Sequence, residues 1–328
     1  MTLSLSYSRR DWPMREPFAI ARGVQTHTQT LMVVLTDAEG RRGRGEACGV
    51  LYAGETPDTM ATQLEAVRAD IERGVTREAL LDLLPAGGAR CAVDAALWDL
   101  EARRRGLSAF EIAGVGTPRT LETAFTIGIR STADYEIAAR AHADFATLKI
   151  KVDGSDPVSA VRSARSGAPQ SAFIVDPNQS WSVETLKTMA PILADLGVVL
   201  LEQPIPVGAE AGLDGYHCPI PLCADELVND AADLMKAKGR FQVVNIKLDK
   251  AGGLTAALDL AARARAAGFD LMAGCMAGSS LSMAPALVLA QQCAFVDLDG
   301  PLLQAEDWEH GLTYASGRIE GAAPGFWG

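Results

Sequence analysis

Histidine and cysteine are scarce and scattered in this 328-residue chain. The four histidines, His27, His142, His217 and His310, never fall into a spacing such as HxxxH, so histidine chemistry is not the first expectation. The six cysteines, at 48, 91, 218, 223, 275 and 293, form no CxxC pair. That spacing speaks against a zinc site or a disulfide framework and for buried, reduced thiols. No GxGxxG follows the first strand of the βα region described below, and no GxxxxGK[ST] occurs anywhere, which removes the common phosphate cradles. There is no long basic run, and the net charge is −11, which argues against nucleic acid and anionic membrane surfaces as partners. No window approaches the ~18 uninterrupted apolar residues of a membrane span. The opening segment MTLSLSYSRRDWPMREPF lacks the apolar core of a secretory signal, so a cytoplasmic location is expected.

What remains is an ordinary soluble composition, 48% hydrophobic and 22% charged, in a chain long enough for a large core and two domains. From about residue 120, short apolar strands recur roughly every 20 to 28 residues with amphipathic helical segments between them. The strands are read at 121–129, 147–152, 172–176, 198–204, 221–226, 242–248, 270–276 and 294–299. TAALDLAARARAAG (255–268) is one of the helices, with Gly268 placed to end it. Eight such repeats predict an α/β fold, a closed (β/α)₈-type barrel, with a doubly wound open sheet as the alternative. Earlier in the chain, LMVVLTDAEGRRGRGEACG reads as an antiparallel hairpin. ETPDTMATQLEAVRADIERG and RCAVDAALWDLEARRRG (90–106) read as helices. The expected organisation is an α+β capping domain over 1–112, a barrel over 113–300, and a tail over 301–328 that returns to the capping domain, LTYASGRIEG forming a further hairpin.

Barrel enzymes place their reactive groups at the C-terminal ends of strands. Here the third, fourth and fifth strands end in Asp176 (VDPNQSW), Glu202 (LEQP) and Asp225 (CADE). Neighbouring strands lie ~4.8 Å apart, so three consecutive carboxylates can converge on one point. Any one of them alone would ordinarily cap a helix or sit in solvent. Three together repel one another and need a cation. An all-oxygen set without Cys or His suits Mg²⁺, with Mn²⁺ as the alternative.

The second strand, TLKIKVD, alternates Lys149 and Lys151 on one face with aliphatic residues on the other. A half-solvated or edge strand would look the same. The sixth strand carries Lys247, within NIKLDKAGG. Strands two and six lie on opposite sides of an eight-stranded ring, so Lys151 and Lys247 are expected to face each other across its mouth. A cation and the second ammonium of Lys149 would depress a lysine's pKa and let it act as a base. Two bases on opposite faces of one carbon suit racemisation or epimerisation beside a carboxylate. Otherwise the lysines only neutralise the acids, which is the supporting role expected of Lys149.

These elements, KIK at 149–151, the Asp/Glu/Asp set, NIKLDKAGG at 245–253 and the helix RCAVDAALWDLEARR, together resemble the enolase superfamily over nearly the whole chain. That superfamily uses a Lys or His base with Mg²⁺ and an enediolate. The resemblance implies a barrel capped by an α+β domain built from both chain ends. Mandelate-racemase-like members carry a His on the seventh strand; LMAGCMAGSS has none. Lysines on strands two and six resemble the muconate-lactonising-like subgroup. Within it, DxD at the end of strand eight, here Asp297 and Asp299, is similar to the dipeptide epimerases, where the pair holds the substrate's α-ammonium. A turn or a helix cap is the plainer reading of that motif.

PFAIARG (17–23) resembles the mobile capping loop of members acting on L-Ala-D/L-Glu, which implies that Arg22 meets the glutamate side chain. VDPN replaces the commoner VDAN, with the aspartate itself unchanged. The implied function is a Mg²⁺-dependent dipeptide epimerase of murein peptide metabolism, with a small dipeptide substrate and a homo-oligomeric assembly. The rivals are an N-acyl amino acid racemase, an o-succinylbenzoate synthase or a cycloisomerase, none with a free ammonium on its substrate. From a different class, a catalytically silent peptide- or metal-binding module remains.

Overall fold

The computed structural model describes residues 2–328. Two long strands open the chain, β1 (Leu3–Ile20) and β2 (Gly23–Asp37), paired antiparallel from Leu3↔Asp37 to Ile20↔Gly23. The register breaks between Pro13 and Phe18, where Pro13 and Pro17 offer no N–H to a ladder. Phe18 to Ile20 continue β1, and Arg22 stands at the tight tip of the hairpin. GVQTHTQT shows no hydrophobic alternation, so nothing local marks this pairing, although its Thr and Val residues suit a strand.

β3 (Arg42–Ala47) adds to β2 through the turn at 38–41, where Asp37 Oδ1 accepts the N–H groups of Glu39 and Arg41. The glycines of RGRGEA have a packing reason. The helix Gly88–Arg105 lies directly on β3, and a Cβ at Gly43 or Gly45 would stand 2.1 Å from the carbonyl oxygen of Ala96 or Ala92. The small helix face of Ala89, Ala92 and Ala96 is what permits that approach. The helix Pro57–Glu72 covers the same unit, started by Thr56 and Pro57.

The barrel strands are β5 (Phe125–Ile127), β6 (Thr147–Lys151), β7 (Ala172–Asp176), β8 (Val198–Glu202), β9 (Leu222–Ala224), β10 (Val243–Lys247), β11 (Asp270–Gly274) and β12 (Phe295–Val296). All are parallel and ordered in sequence. First and last strand meet through Ala124 N–H to the Val296 carbonyl, 2.8 Å, and Leu298 N–H to Thr123 Oγ1, 2.9 Å. The interior of the ring is filled by Ala124, Ile174, Leu200, Cys223, Val243 and Met272. This is the (β/α)₈-type architecture with an α+β unit that the repeat pattern predicts.

Two expected elements differ. The segment 121–129 is divided: β4 (Leu121–Glu122) leaves the barrel and pairs with the tail. The tail hairpin, β13 (Thr313–Ala315) and β14 (Arg318–Gly321), joins β4 in a three-stranded antiparallel sheet rather than adding to β1–β3. Other parts of the tail reach the N-terminal unit: Ala305 N–H donates to the Pro13 carbonyl at 2.8 Å and Trp308 Nε1 to Glu46 Oε2 at 2.7 Å, and the last residues follow. Trp327 Nε1 donates to the Arg44 carbonyl at 3.0 Å, and Gly328 N–H to Asp99 Oδ1 at 3.0 Å. The helix Leu254–Ala266 ends as expected, with Gly268 in the left-handed region. All six cysteines are free, and among the described residues no helix is long and apolar enough to cross a membrane.

Candidate active site

The C-terminal strand ends gather a cluster of buried charged groups, among them Lys149, Lys151, Asp176, Glu202, Asp225, Lys247 and Lys250. Local backbone strain marks the same place. Asn178 (φ 45°) and Gln179 (φ 68°) follow Asp176, and Gln203 (φ 34°) follows Glu202. Non-glycine residues in this region cost of order 1 kcal/mol or more and persist where surrounding bonds hold them. Those bonds are present. Asn178 N–H donates to Asp176 Oδ1 at 2.8 Å. The Gln203 side chain accepts from Asp225 N–H at 3.0 Å and Leu227 N–H at 3.1 Å, stapling the end of β8 to that of β9. Asn245 donates to Glu202 Oε1 at 3.0 Å from β10, and the neighbouring Gly274 leaves it room, since a Cβ there would lie 2.3 Å from Asn245 Oδ1.

Each carboxylate is held by an ammonium. Lys151 Nζ lies 2.5 Å from Asp176 Oδ2 and 3.1 Å from Asn178 Oδ1. Lys149 Nζ reaches Glu202 Oε2 (2.7 Å), Asp297 Oδ2 (2.8 Å) and Asp176 Oδ2 (3.3 Å). Lys247 Nζ is 2.7 Å from Asp225 Oδ2. Lys250, which the sequence reading quoted within NIKLDKAGG but gave no role, donates to Asp225 Oδ1 at 2.7 Å and to the carbonyls of Val228 and Asn245. Its spacing from Lys247, one turn on from the strand end, was the available signal.

Burial opposes the Asp176 charge, but Lys151 and Lys149 outweigh it and bring the carboxyl down to about 2. Burial likewise opposes Asp225, which Lys247 and Lys250 hold well below the usual range. Glu202 is the least compensated: burial first, then the charge of Asp176, push it up to about 8. The expected depression rests on a bound cation; among the protein's own atoms the acids set the direction for Lys247 and Lys149. Burial works against the Lys247 ammonium, yet Asp225 and Glu202 hold it above its ordinary value. Lys149 is raised in the same way by Asp297, Glu202 and Asp176. Among the protein's own atoms the lysines act as counter-charges.

Among the described residues, no three acid, histidine or cysteine side chains converge closely enough to hold a metal ion as they stand. The donor set itself fits a hard cation. Asp176, Glu202 and Asp225 offer only carboxylate oxygens at consecutive strand ends, and all three are buried.

Lys151 and Lys247 stand on β6 and β10, four places apart in the ring, and line one cavity of about 360 Å³. The hairpin tip forms its far wall through Phe18, Ile20 and Arg22, with Tyr52 beside them, and Cys275 to Ala277 close another side. A larger cavity, about 890 Å³, between the lower hairpin, the helix Thr132–Ala141 and the tail contains none of these charged groups. Arg22 NH1 donates to Glu226 Oε1 at 2.6 Å, and its guanidinium lies 4.9 Å from the Tyr52 ring centroid.

Asp297 and Asp299 do not line the cavity. Asp297 is engaged by Lys149, and Asp299 Oδ2 accepts Thr126 N–H at 2.6 Å across the barrel seam. They sit close behind Cys275, whose thiol is raised by burial and by both of their charges.

The chain is similar to known proteins over nearly its whole length. Residues 4–114 match the mandelate racemase / muconate lactonizing enzyme N-terminal domain, and residues 133–325 the enolase C-terminal domain-like family. The chain is 42% identical over 313 residues to the L-Ala-D/L-Glu epimerase of Escherichia coli K12, covering 94% of this chain and 96% of that one. It is also 42% identical over 304 residues to an N-acetyl-D-glutamate racemase of a Pseudoalteromonas species, covering 91% and 95%. Among solved structures, an enolase family member from Agrobacterium tumefaciens with homology to dipeptide epimerases superposes with a TM-score of 0.96 at 37% identity, over 99% of this chain and 100% of that one. That structure holds sodium and L-Ala-L-Glu. A dipeptide epimerase from Methylococcus capsulatus, complexed with Mg and L-Arg-D-Lys, superposes with a TM-score of 0.89 at 32% identity, over 97% of each chain.

Proposed function

The chain belongs to the enolase superfamily, as an isomerase of the racemase and epimerase type, and from that premise we propose that it is a Mg²⁺-dependent L-Ala-D/L-Glu epimerase. The observation that carries the reading is the pair Lys151 and Lys247, on opposite strands of the ring and lining one cavity. One lysine, neutral, takes the α-proton of the C-terminal residue from one face. The other, as ammonium, returns a proton to the opposite face, and the configuration inverts. The two end with their protonation exchanged and reset by exchange with solvent. A divalent cation held by Asp176, Glu202 and Asp225 would stabilise the negative charge that develops on the substrate carboxylate as the proton leaves. Lys149 supports this by offsetting Glu202 and Asp297.

In this reading Arg22 takes the glutamate side chain, and Asp297 with Asp299 the α-ammonium. The relatives acting on L-Ala-D/L-Glu and L-Ala-D/L-amino acids support the dipeptide. Residues 1–112 serve as the capping domain, 113–300 as the catalytic barrel and 301–328 as the returning tail. The substrate would come from peptidoglycan peptides in the cytoplasm.

One observation favours a second reading, racemisation of an N-acylated glutamate. Asp297 already holds an ammonium, that of Lys149, and Asp299 is engaged by Thr126 N–H. The relative named for N-acetyl-D-glutamate agrees with it. Proton NMR in D₂O with Mg²⁺ decides between them. Loss of the glutamate α-proton signal from L-Ala-L-Glu, with a second diastereomer appearing, supports the epimerase. Exchange in N-acetyl-L-glutamate alone supports the racemase, and exchange in neither overturns both.

A further inference from the structure

We infer that Glu226 and Tyr52 are positioning residues for Arg22, holding its guanidinium so that a free edge meets the acidic side chain of the substrate. This rests on the reading that the residue inverted is acidic, which the dipeptide and N-acyl alternatives share. Arginine carries five N–H donors in a planar fork. Only one hydrogen bond is made by the Arg22 side chain among the described residues, NH1 to Glu226 Oε1 at 2.6 Å. The pair is monodentate, so the rest of the fork is left for a second carboxylate. The Tyr52 ring lies 4.9 Å from the guanidinium carbon and limits its rotation from the other side.

Sharing is favoured over displacement. The Glu226 side chain is only 3% exposed, and its Oε2 already has no partner. A substrate that drew Arg22 away would leave a buried carboxylate without its counter-charge, which is costly. Glu226 is also tied to the reacting centre. Asn178 Nδ2 lies 3.5 Å from Glu226 Oε1, and Asn178 Oδ1 accepts from Lys151 Nζ at 3.1 Å. The chain Arg22–Glu226–Asn178–Lys151 therefore sets the side-chain group and one base at a fixed offset, although Arg22 and Lys151 come from different units of the fold. Such preorganisation strengthens binding by lowering the ordering cost.

The test is steady-state kinetics of the full chain with Mg²⁺ on L-Ala-L-Glu and its neutral isostere L-Ala-L-Gln. N-acetyl-L-glutamate and N-acetyl-L-glutamine replace them if only that class turns over. Glu226→Ala and, independently, Tyr52→Ala should raise KM for the acidic substrate relative to the amide by about tenfold, with the loss in KM rather than kcat. Glu226→Gln, which keeps an acceptor oxygen, should recover most of it. Tyr52→Ala keeps the test open if Glu226→Ala fails to fold. A lower KM for the acidic substrate in Glu226→Ala would make Glu226 a competitor and overturn the inference. Equal changes with both substrates would reduce it to a structural role. A wild type inactive on every acidic substrate sinks the proposed function and this inference together; an active wild type with an unchanged KM ratio in the variants sinks this inference alone.

Discussion

Lys149 Nζ stands 2.7 Å from Glu202 Oε2 and 2.8 Å from Asp297 Oδ2, so one buried ammonium joins the fourth strand end to the eighth. Asp176 lies within 3.3 Å of it as well. The lysine that the sequence places beside a base is thus a charge hub of the barrel mouth.

Its removal should be felt in stability. Lys149→Met leaves Glu202 and Asp297 buried without their common cation, and breaking a buried pair from one side costs about 3–5 kcal/mol. Urea unfolding should show a clearly lower midpoint; an unchanged midpoint would mean that the three contacts contribute nothing net.

Lys151 and Lys247 should fail differently from a general loss of binding. Each alanine variant should lose epimerisation by roughly 10²–10⁴-fold. The lysine that remains can still exchange the α-proton of the one isomer that faces it. NMR in D₂O, run separately on the two pure isomers, should show the retained exchange switching isomer between the two variants. Exchange lost for both isomers in either variant would argue against two opposed bases.

Asp299 supplies a pH dependence. Burial first, then the charge of Asp297, push its carboxyl up to about 7. Below that pH it is protonated and offers a substrate ammonium no charge; above it, it does. For a dipeptide, kcat/KM should therefore rise between pH 6 and 8, and Asp299→Asn should flatten the rise and lower the plateau. N-acetyl-L-glutamate, with no ammonium, should show neither effect. A dipeptide profile untouched by Asp299→Asn would remove this residue from substrate recognition.

Asp94 ties the helix Gly88–Arg105 to the helix Leu254–Ala266, accepting Thr255 N–H at 3.0 Å and the Thr255 hydroxyl at 2.5 Å. Burial pushes its carboxyl up to about 6 from 3.8. The folded chain then keeps a proton that the unfolded chain releases as pH rises from 4 to 6. Stability from this group is complete at the lower pH and falls by about 3 kcal/mol across that window. Asp94→Asn, compared with wild type by denaturant unfolding at pH 4.5 and 7, should show the smaller decline. Equal declines would mean that Asp94 titrates normally.

The strand ends were the legible part of this molecule. AFIVD and VVNIK are strands ending in a charge, and no packing argument explains a charge there, so the cluster of charges at the barrel mouth showed through. Leu121–Glu122 was not legible, because its partner, Arg318–Gly321, lies almost 200 residues away and nothing local marks the break at Thr123. The hairpin tip was hidden because polar Thr and Gln residues pair there without a buried face. The charges around the lysines were hidden for a different reason: Lys250 and Glu202 act across strands, and reach Asp225 and Lys247 only once the ring has formed.

The seam between Ala124 and Val296 also fixes an order of events during synthesis. The first barrel strand emerges with an edge that finds its partner only about 170 residues later. Until then the growing chain carries an open parallel sheet, the slow, non-local kind of pairing that exposes strands to other chains. The N-terminal unit, complete long before, already holds Arg22 and the hairpin tip. It waits for Cys275 to Ala277 before there is a cavity to enclose. A nascent chain that has passed Lys247 but not Cys275 carries Lys151, Asp176, Glu202, Asp225 and Lys247, and still has no enclosed cavity.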